Sequence, residues 1–114
     1  MRMWGITPIL MCSQHITGEH NEIHKHLPHL YQGRKIDGRY SGPPQIQLNA
    51  LQSRHDELAM CLNHNSPLTV DADRIKANYP QYYDVAVDVG HNMLDLYARC
   101  PKCRAIMEKH GVRF

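Results

Sequence analysis

The sequence feature that most constrains the fold is an apolar stripe at helical spacing near the start of the chain. Four residues share one face when successive positions are rotated by about 100°: Ile16, Ile23, Leu27 and Leu30. Thr7 and Pro8 are typical of an N-cap and a first helical position, and Pro28 is typical of a helix end or kink. The stripe therefore predicts a helix from Pro8 to about Leu27 that buries one face in a core.

The rest of the chain predicts further helices separated by long connections. These helices are expected over residues 45–64, 85–99 and 101–110, and Gly111 is expected to end the last one. The connections are a Gly/Pro-rich loop over residues 32–44 and an irregular segment over residues 65–84 with at most a short turn of helix. Strand-like alternation is weak and is best over residues 85–89. We expect an all-α fold: a single compact domain, residues 1–114, of three main helices with long irregular connections.

Composition and length exclude several classes of protein. The chain has 114 residues, 42% of them hydrophobic, which suits one soluble globular domain. No apolar run approaches the ~20 residues that a membrane span needs, and the segment WGITPILMC is short, contains Pro8 and runs into polar sequence. We therefore expect no membrane association, no signal peptide and a cytoplasmic location, where the four cysteines stay reduced.

Charge is distributed unevenly along the chain. Residues 1–39 carry five Lys/Arg and three acidic residues. Residues 40–98 carry three Lys/Arg and seven acidic residues, and residues 99–114 carry five Lys/Arg and one acidic residue. If the two basic ends meet in the fold, they form one positive face that suits a polyanion such as DNA. Scattered, solvated charge is the alternative that these counts leave open.

A second stripe on the first helix carries titratable side chains. Beside the apolar stripe lie His15, Glu19, Glu22 and His26, whereas His20 and His24 fall on its other flank. A carboxylate that borders a core is partly desolvated, which raises its pKa and suits it to proton transfer. The row is therefore either one wall of an active site or a solvated helix face with weak i,i+4 pairs.

The histidines and cysteines match metal-binding patterns only in part. In the segment HNEIH (residues 20–24), the glutamate stands one position late for the HExxH arrangement. Cys100 and Cys103 have the spacing of half a zinc ribbon, but no second CxxC pair is present, and Cys12 and Cys61 are isolated. We therefore expect no metal and no cofactor, and a small zinc-binding regulatory protein is one alternative function.

The first residue of the chain offers a nucleophile. Removal of the initiator methionine generally needs a small second residue, so Met1, which precedes Arg2, should be retained. An α-amine has a reference pKa near 7.7–8.0, so on the order of a tenth of it is free base at neutral pH. It is therefore a usable nucleophile where an ordinary lysine is not. A simple solvated terminus is the alternative.

Three segments carry a family resemblance: MRMWGITPILMCSQHITGEHNEIHKHL at the start of the chain, LQSRHDELAMCLNHNSPL and RCPKCR. They resemble the phage-type pyrimidine-dimer DNA glycosylases, which are small all-helical proteins. The family pattern of a terminal residue, Arg, Gln-His, Glu and a catalytic Glu falls here on Met1, Arg2, Gln14-His15, Glu19 and Glu22. The likeness covers most of the chain and is strongest over residues 1–30 and 51–68.

The resemblance implies a DNA glycosylase with AP lyase activity that acts as a monomer on damaged or modified pyrimidines in double-stranded DNA, in a bacterial or phage-infected cell. It implies that the Met1 amine forms an imine with C1′ of the damaged nucleotide, while Glu22 stabilises the sugar cation and transfers protons. Glu19 is expected to orient His15 or Arg2. Nucleic-acid contacts are expected from Arg2, Gln14, His15, Lys25, His26, Arg34, Lys35 and Arg54.

Parts of the chain depart from the family pattern. The best-known dimer-cleaving members begin with a small Thr, where this chain has Met1, and carry an Arg where it has Asn21. Their aromatic-rich C-terminal segment is replaced here by CRAIMEKHGVRF. We therefore expect strong cleavage at abasic sites and weaker or altered action on cyclobutane dimers. A noncatalytic DNA-binding module of the same fold is the second alternative.

Overall fold

The computed structural model describes residues 1–63 and 67–114, and every regular element within these ranges is helical. Five α-helices follow one another along the chain: α1 (Ser13–Tyr31), α2 (Leu51–Cys61), α3 (Ala72–Asn78), α4 (Val89–Arg99) and α5 (Pro101–Lys109). Short 3-10 helices occupy Pro8–Leu10, Asp37–Tyr40 and Leu48–Ala50. The prediction of an all-α fold is thus confirmed. Within the described ranges, no helix combines the length and the apolar character that crossing a bilayer requires.

A continuous core joins elements from both ends of the chain. Helix α1 packs against α2 and α3, α4 packs against α5, and α5 packs against the 3-10 turn that begins at Pro8. The predicted stripe of α1 is buried at all of its positions, in the same core as Leu48, Leu51 and Leu58. The radius of gyration is 14.3 Å, close to the ~13 Å of a compact domain of this length. The described residues therefore form one compact domain.

The first helix begins later than predicted. Pro8 starts a 3-10 turn, Met11 is extended, and α1 begins only at Ser13. A continuous helix would need the Cys12 N–H to donate to the Pro8 carbonyl, but it donates instead to the sulfur of Cys103, at 3.2 Å. A long-range contact therefore sets the start of α1.

The first helix also continues past Pro28, where it was predicted to end. Pro28 lacks an N–H, yet the burial of Leu27 and Leu30 on either side of it holds the last turn against the core. The helix ends at Tyr31, and Gly33, two residues later, has a φ of +70° and donates its N–H to the Leu30 carbonyl. Arg34 donates to the His29 carbonyl, which completes a Schellman motif.

The second helix is shorter than the predicted span of residues 45–64. The Met3 N–H donates to the Gln45 carbonyl at 2.7 Å, and the Gln47 N–H donates to the Met3 sulfur at 3.4 Å. These contacts hold the chain before Leu48 in a non-helical path, so α2 begins only at Leu51. The predicted end at His64 lies outside the described residues.

Capping residues set the ends of the remaining helices. Asp88 accepts the His91 N–H at 3.0 Å, so α4 begins at Val89 rather than at Val85 as predicted. Asp71 caps α3 in the same way, within a segment that was predicted to be mostly irregular. The prediction for α5 is confirmed, including its end at Gly111, which has a φ of +84°.

Candidate active site

The N-terminal segment is held along its length, which fixes the position of its amine. Met3 and Ile6 are fully buried, and Met3 is bonded to Gln45 as described above. The side chain of Met1 is itself only 2% exposed and packs against the core. A methionine at this position therefore acts as an apolar anchor for the amine that it carries.

The α-amine of Met1 lies beside the carboxylate of Glu22. The Met1 nitrogen is 3.7 Å from Glu22 Oε2, and the same oxygen accepts the backbone N–H of Arg2 at 3.0 Å. The side chain of Glu22 is 45% exposed, so the pair is open to a substrate. An amine nucleophile and a carboxylate that can exchange a proton are therefore both within reach of one reacting atom.

The surroundings of the Met1 amine favour its uncharged form. Burial holds the pKa of the amine below its ordinary value of 8.0, and the charge of Arg39 lowers it further. Lys25 acts in the same direction, whereas Glu22 attracts the ammonium and raises the pKa. Because the lowering effects prevail, the share of free amine at neutral pH is larger than for an ordinary terminus.

A pocket with basic walls opens next to the amine. Among the residues that line it are Met1, His26, His29, Arg34, Lys35 and Arg39. Three predicted nucleic-acid-binding residues, His26, Arg34 and Lys35, thus line one pocket with Met1. Burial and the nearby amine lower the pKa of His26, so its neutral form is favoured at pH 7. The pocket offers concentrated positive charge of the kind that binds a phosphate.

Arg2 holds the first residues against α4. Its guanidinium pairs with Asp95 at 2.8 Å, donates to Asn92 Oδ1 at 3.0 Å, and stacks 3.9 Å from the ring centre of Trp4. Asn92 is buried and also donates to the Trp4 carbonyl at 2.8 Å. The side chain of Arg2 is 24% exposed, so one edge of it can still meet a phosphate.

Glu19, one turn before Glu22, lies in the core rather than in the site. Its two oxygens contact Arg54 of α2 at 2.5 and 2.8 Å, and Arg54 also donates to the Ile6 carbonyl and to Glu57. Arg54 is 5% exposed and its guanidinium donates to protein acceptors, so the structure places this predicted nucleic-acid-binding residue in the core. The partner of Glu19 is Arg54, not His15 or Arg2 as expected. The two glutamates of one stripe therefore differ in environment: Glu19 is buried, whereas Glu22 is half-exposed.

A second groove lies on the other side of Glu22. It brings Glu22 together with Gln14, His15 and Arg99. Gln14 and Arg99 are exposed, whereas His15 packs edge-on against Trp4 with ring centroids 5.8 Å apart. Burial and the charge of Arg99 lower the pKa of His15, which favours a neutral imidazole. Sequence reasoning missed Arg99, because only the fold brings α4 to the start of α1.

His15 also belongs to a group of four metal-ligand side chains where the start of α1 meets the junction of α4 and α5. The others are Cys12, Cys100 and Cys103, and the four ligand atoms all lie within 4.8 Å of one another. The prediction that Cys12 is isolated is therefore wrong. The sequence signal for this group is the matched spacing of Cys12-x2-His15 and Cys100-x2-Cys103.

Three histidines form a second group on the other flank of α1. The ring nitrogens of His20, His24 and His55 lie within 4.8 Å of one another. His24 Nε2 and His55 Nε2 are 2.9 Å apart, and His55 Nδ1 is 2.9 Å from Asp56 Oδ1. The contact between the two imidazoles has the length of a hydrogen bond in which one ring donates and the other accepts. Two of the three imidazoles, those of His24 and His55, are therefore already bonded to each other.

The site combines an amine whose uncharged form is favoured, a half-exposed carboxylate and a neighbouring basic pocket. Comparisons of the chain with protein-family models, with curated proteins and with solved structures find no match. The resemblance to pyrimidine-dimer glycosylases therefore rests on the residues of this chain alone, and the chemistry of the site rests on the geometry of Met1 and Glu22.

Proposed function

We propose that this chain is a DNA glycosylase with AP lyase activity, in which Met1 supplies the nucleophile and Glu22 transfers protons. The observation that carries the proposal is the 3.7 Å separation of a partly desolvated α-amine and an exposed carboxylate, beside a basic pocket. The spacing of Met1, Arg2 and Glu22, which resembles that of the phage-type enzymes, supports the same assignment.

In the base-excision step, the free amine of Met1 attacks C1′ of the damaged nucleotide. A C1′–N bond to the enzyme forms, and the bond to the base breaks, so the base leaves with the electron pair. The surplus proton of the amine passes to Glu22, and protonation of the ring oxygen opens the sugar to a protonated imine. At a pre-existing abasic site, the amine condenses with the aldehyde instead, and water is lost.

In the lyase step, the protonated imine acts as an electron sink. Glu22 removes a proton from C2′, the C3′–O bond breaks, and the 3′ phosphate leaves with the bonding electrons. Hydrolysis of the remaining imine then releases the amine of Met1. Since Glu22 accepts the amine proton and returns it to the ring oxygen in the first step, and accepts the C2′ proton in the second, its half-exposed position beside the amine serves both steps.

The basic residues around the amine supply the proposed contacts to double-stranded DNA. Arg34, Lys35 and Arg39 are exposed at the pocket, and Lys25 is exposed on α1 next to Glu22. Contacts of this kind hold the phosphates without reading the bases. The amine reaches C1′ only if the duplex is distorted, so we propose that a nucleotide is extruded toward the pocket by a single protein molecule.

The C-terminal segment argues for abasic sites and modified pyrimidines as substrates rather than for cyclobutane dimers. It has Phe114 as its one aromatic residue, and that ring packs edge-on against Tyr97 with centroids 5.2 Å apart. Base stacking is worth about 1–3 kcal/mol per contact, so a chain without free aromatic rings at the lesion loses selectivity for it.

The same basic pocket also suits a noncatalytic DNA-binding module, so the experiment must detect the covalent step. Borohydride reduces an imine between enzyme and abasic DNA to a stable adduct. We expect such an adduct from protein whose intact mass shows that the chain begins at Met1. Binding to abasic duplex without any adduct would favour the noncatalytic module.

A further inference from the structure

The four metal-ligand side chains at Cys12, His15, Cys100 and Cys103 come from both ends of the chain. Cys12 immediately precedes α1 and His15 lies in its first turn, while Cys100 is the residue between α4 and α5. Cys103 follows in the first turn of α5 and is fully buried. The N-terminal ends of α1 and α5 thus direct their potential metal ligands to one point.

The distances among these atoms match those around one tetrahedral metal ion. Zinc, with bonds of about 2.3 Å to sulfur and 2.0 Å to nitrogen, holds its sulfurs about 3.8 Å apart and a sulfur and a nitrogen about 3.5 Å apart. Cys12 Sγ lies 4.0 Å from Cys100 Sγ, and His15 Nδ1 lies 3.2 Å from Cys12 Sγ and 3.6 Å from Cys103 Sγ. Pairwise hydrogen bonds alone do not require all four atoms to converge.

The backbone around the sulfurs is arranged as it is around metal-bound thiolates. The Cys12 N–H donates to Cys103 Sγ at 3.2 Å, and the Cys103 N–H donates to Cys100 Sγ at 3.4 Å. Such N–H donors stabilise negative charge on sulfur and orient the ligands of a metal site. The guanidinium of Arg99, which acts electrostatically on His15, adds a positive charge close by.

We propose that Cys12, His15, Cys100 and Cys103 bind one zinc ion as a closed structural site. Three thiolates and one imidazole in tetrahedral array select zinc among the common divalent ions, and four protein ligands leave no open position for catalysis. Mutual distances within 4.8 Å leave room for a single ion rather than a cluster. The proposal goes beyond the glycosylase assignment and does not depend on it.

The ion fastens the N-terminal segment to the C-terminal helices. His15 packs against Trp4, on which the Arg2 guanidinium stacks, and the Arg2 N–H binds Glu22. The proposed zinc site is therefore connected to the Met1 amine through Trp4 and Arg2, and it supports the position of the amine. Removal of zinc should lower the melting temperature, since a ligand of the folded state stabilises it.

The test is metal analysis of untagged full-length protein purified without chelator and with a thiol reductant. We expect close to one zinc per chain in the wild type and in Cys61→Ser, and less than a tenth of that in Cys100→Ser. Cys61 is the matched control because it is exposed at the end of α2, and Cys100 is chosen because it is only half-buried. Zinc at wild-type level in Cys100→Ser would overturn the proposal.

Cobalt substitution keeps the proposal testable if Cys100→Ser does not fold. Wild-type protein stripped of zinc and refilled with Co²⁺ should show the thiolate charge-transfer band and the strong visible bands of a tetrahedral site. Cys100→His should keep the metal and shift these bands. No metal uptake, a disulfide detected as the loss of two hydrogens in the intact mass, or metal lost from His24→Ala but kept in Cys100→Ser would each overturn the assignment.

Discussion

The carboxylate of Glu22 lies 3.7 Å from the α-nitrogen of Met1, although the two residues belong to different segments of the fold. The backbone N–H of Arg2 binds the same oxygen at 3.0 Å, so the carboxylate cannot turn away from the amine without losing this bond. The separation of the amine and the carboxylate is thus fixed in the structure, which in the proposed reaction would lower the entropic cost of reaching the transition state.

Glu22→Gln removes the charge of the carboxylate and keeps its shape. We expect base excision and abasic-site cleavage to fall by at least ~100-fold, the scale of lost acid–base catalysis, while duplex binding in a mobility-shift assay persists. Because Glu22 raises the pKa of the Met1 amine, its loss leaves more free amine at pH 7, so a slower reaction cannot be due to a protonated nucleophile. Single-turnover cleavage at the wild-type rate would remove Glu22 from the mechanism.

Glu19→Gln should affect folding instead of chemistry. It removes the buried one of the two carboxylates that bind the Arg54 guanidinium, which we expect to lower the free energy of unfolding by about 3 kcal/mol. Glu57→Gln is the matched control, because Glu57 binds the same guanidinium but is 49% exposed, and it should cost less than about 1 kcal/mol. Urea denaturation measures both values. Equal stability of Glu19→Gln and the wild type would show that the pair contributes nothing to the core.

Arg39→Gln should shift the pH dependence of imine formation. The charge of Arg39 lowers the pKa of the Met1 amine, so its removal raises that pKa and leaves less free amine at neutral pH. We expect the midpoint of a pH profile of borohydride trapping to move to higher pH.

Arg34→Gln is the control for Arg39→Gln, since Arg34 lines the same pocket but is not among the groups that shift the amine. It should weaken DNA binding without moving the midpoint of the profile. The same shift in both variants would mean that the midpoint reports DNA binding and not the amine.

Substrate preference can be read from one gel with abasic, ultraviolet-irradiated and undamaged duplexes at low and moderate salt. We expect strong cleavage at abasic sites that declines as salt rises, because phosphate contacts release counterions, and weaker cleavage of irradiated DNA. Strong cleavage of irradiated DNA with none at abasic sites would show that the C-terminal segment does not limit recognition of cyclobutane dimers.

The parts of the fold that depend on local patterns could be predicted from the sequence. The apolar stripe of α1 is buried as its spacing requires, and the end of α5 lies at Gly111, where the backbone needs a positive φ. The starts of α1 and α2 could not be predicted, since both are set by distant partners. Cys103 holds the N–H of Cys12, and Met3 holds Gln45.

The candidate site likewise contains features that could be predicted from the sequence and features that depend on contacts between distant segments. Met1 and Glu22, which were singled out through the resemblance to the phage-type enzymes, lie 3.7 Å apart at the amine and the carboxylate. Arg54 was expected to contact DNA because its segment resembles the phage-type enzymes, and nothing local in its sequence indicates that Glu19 lies opposite it in the core. Cys12 reaches Cys100 only through the packing of the N-terminal turn on α5.

The most direct test of the proposed chemistry is to treat the protein and abasic duplex with borohydride and to locate any covalent adduct by peptide mass spectrometry. Lys25→Arg is the control, since Lys25 is the nearby lysine whose charge acts on the Met1 amine. We predict that the adduct maps to the α-nitrogen of Met1, that Lys25→Arg traps normally, and that acetylation or extension of the N-terminus abolishes trapping. An adduct on a lysine, or full trapping by protein with a blocked N-terminus, would contradict the assignment of Met1 as the nucleophile.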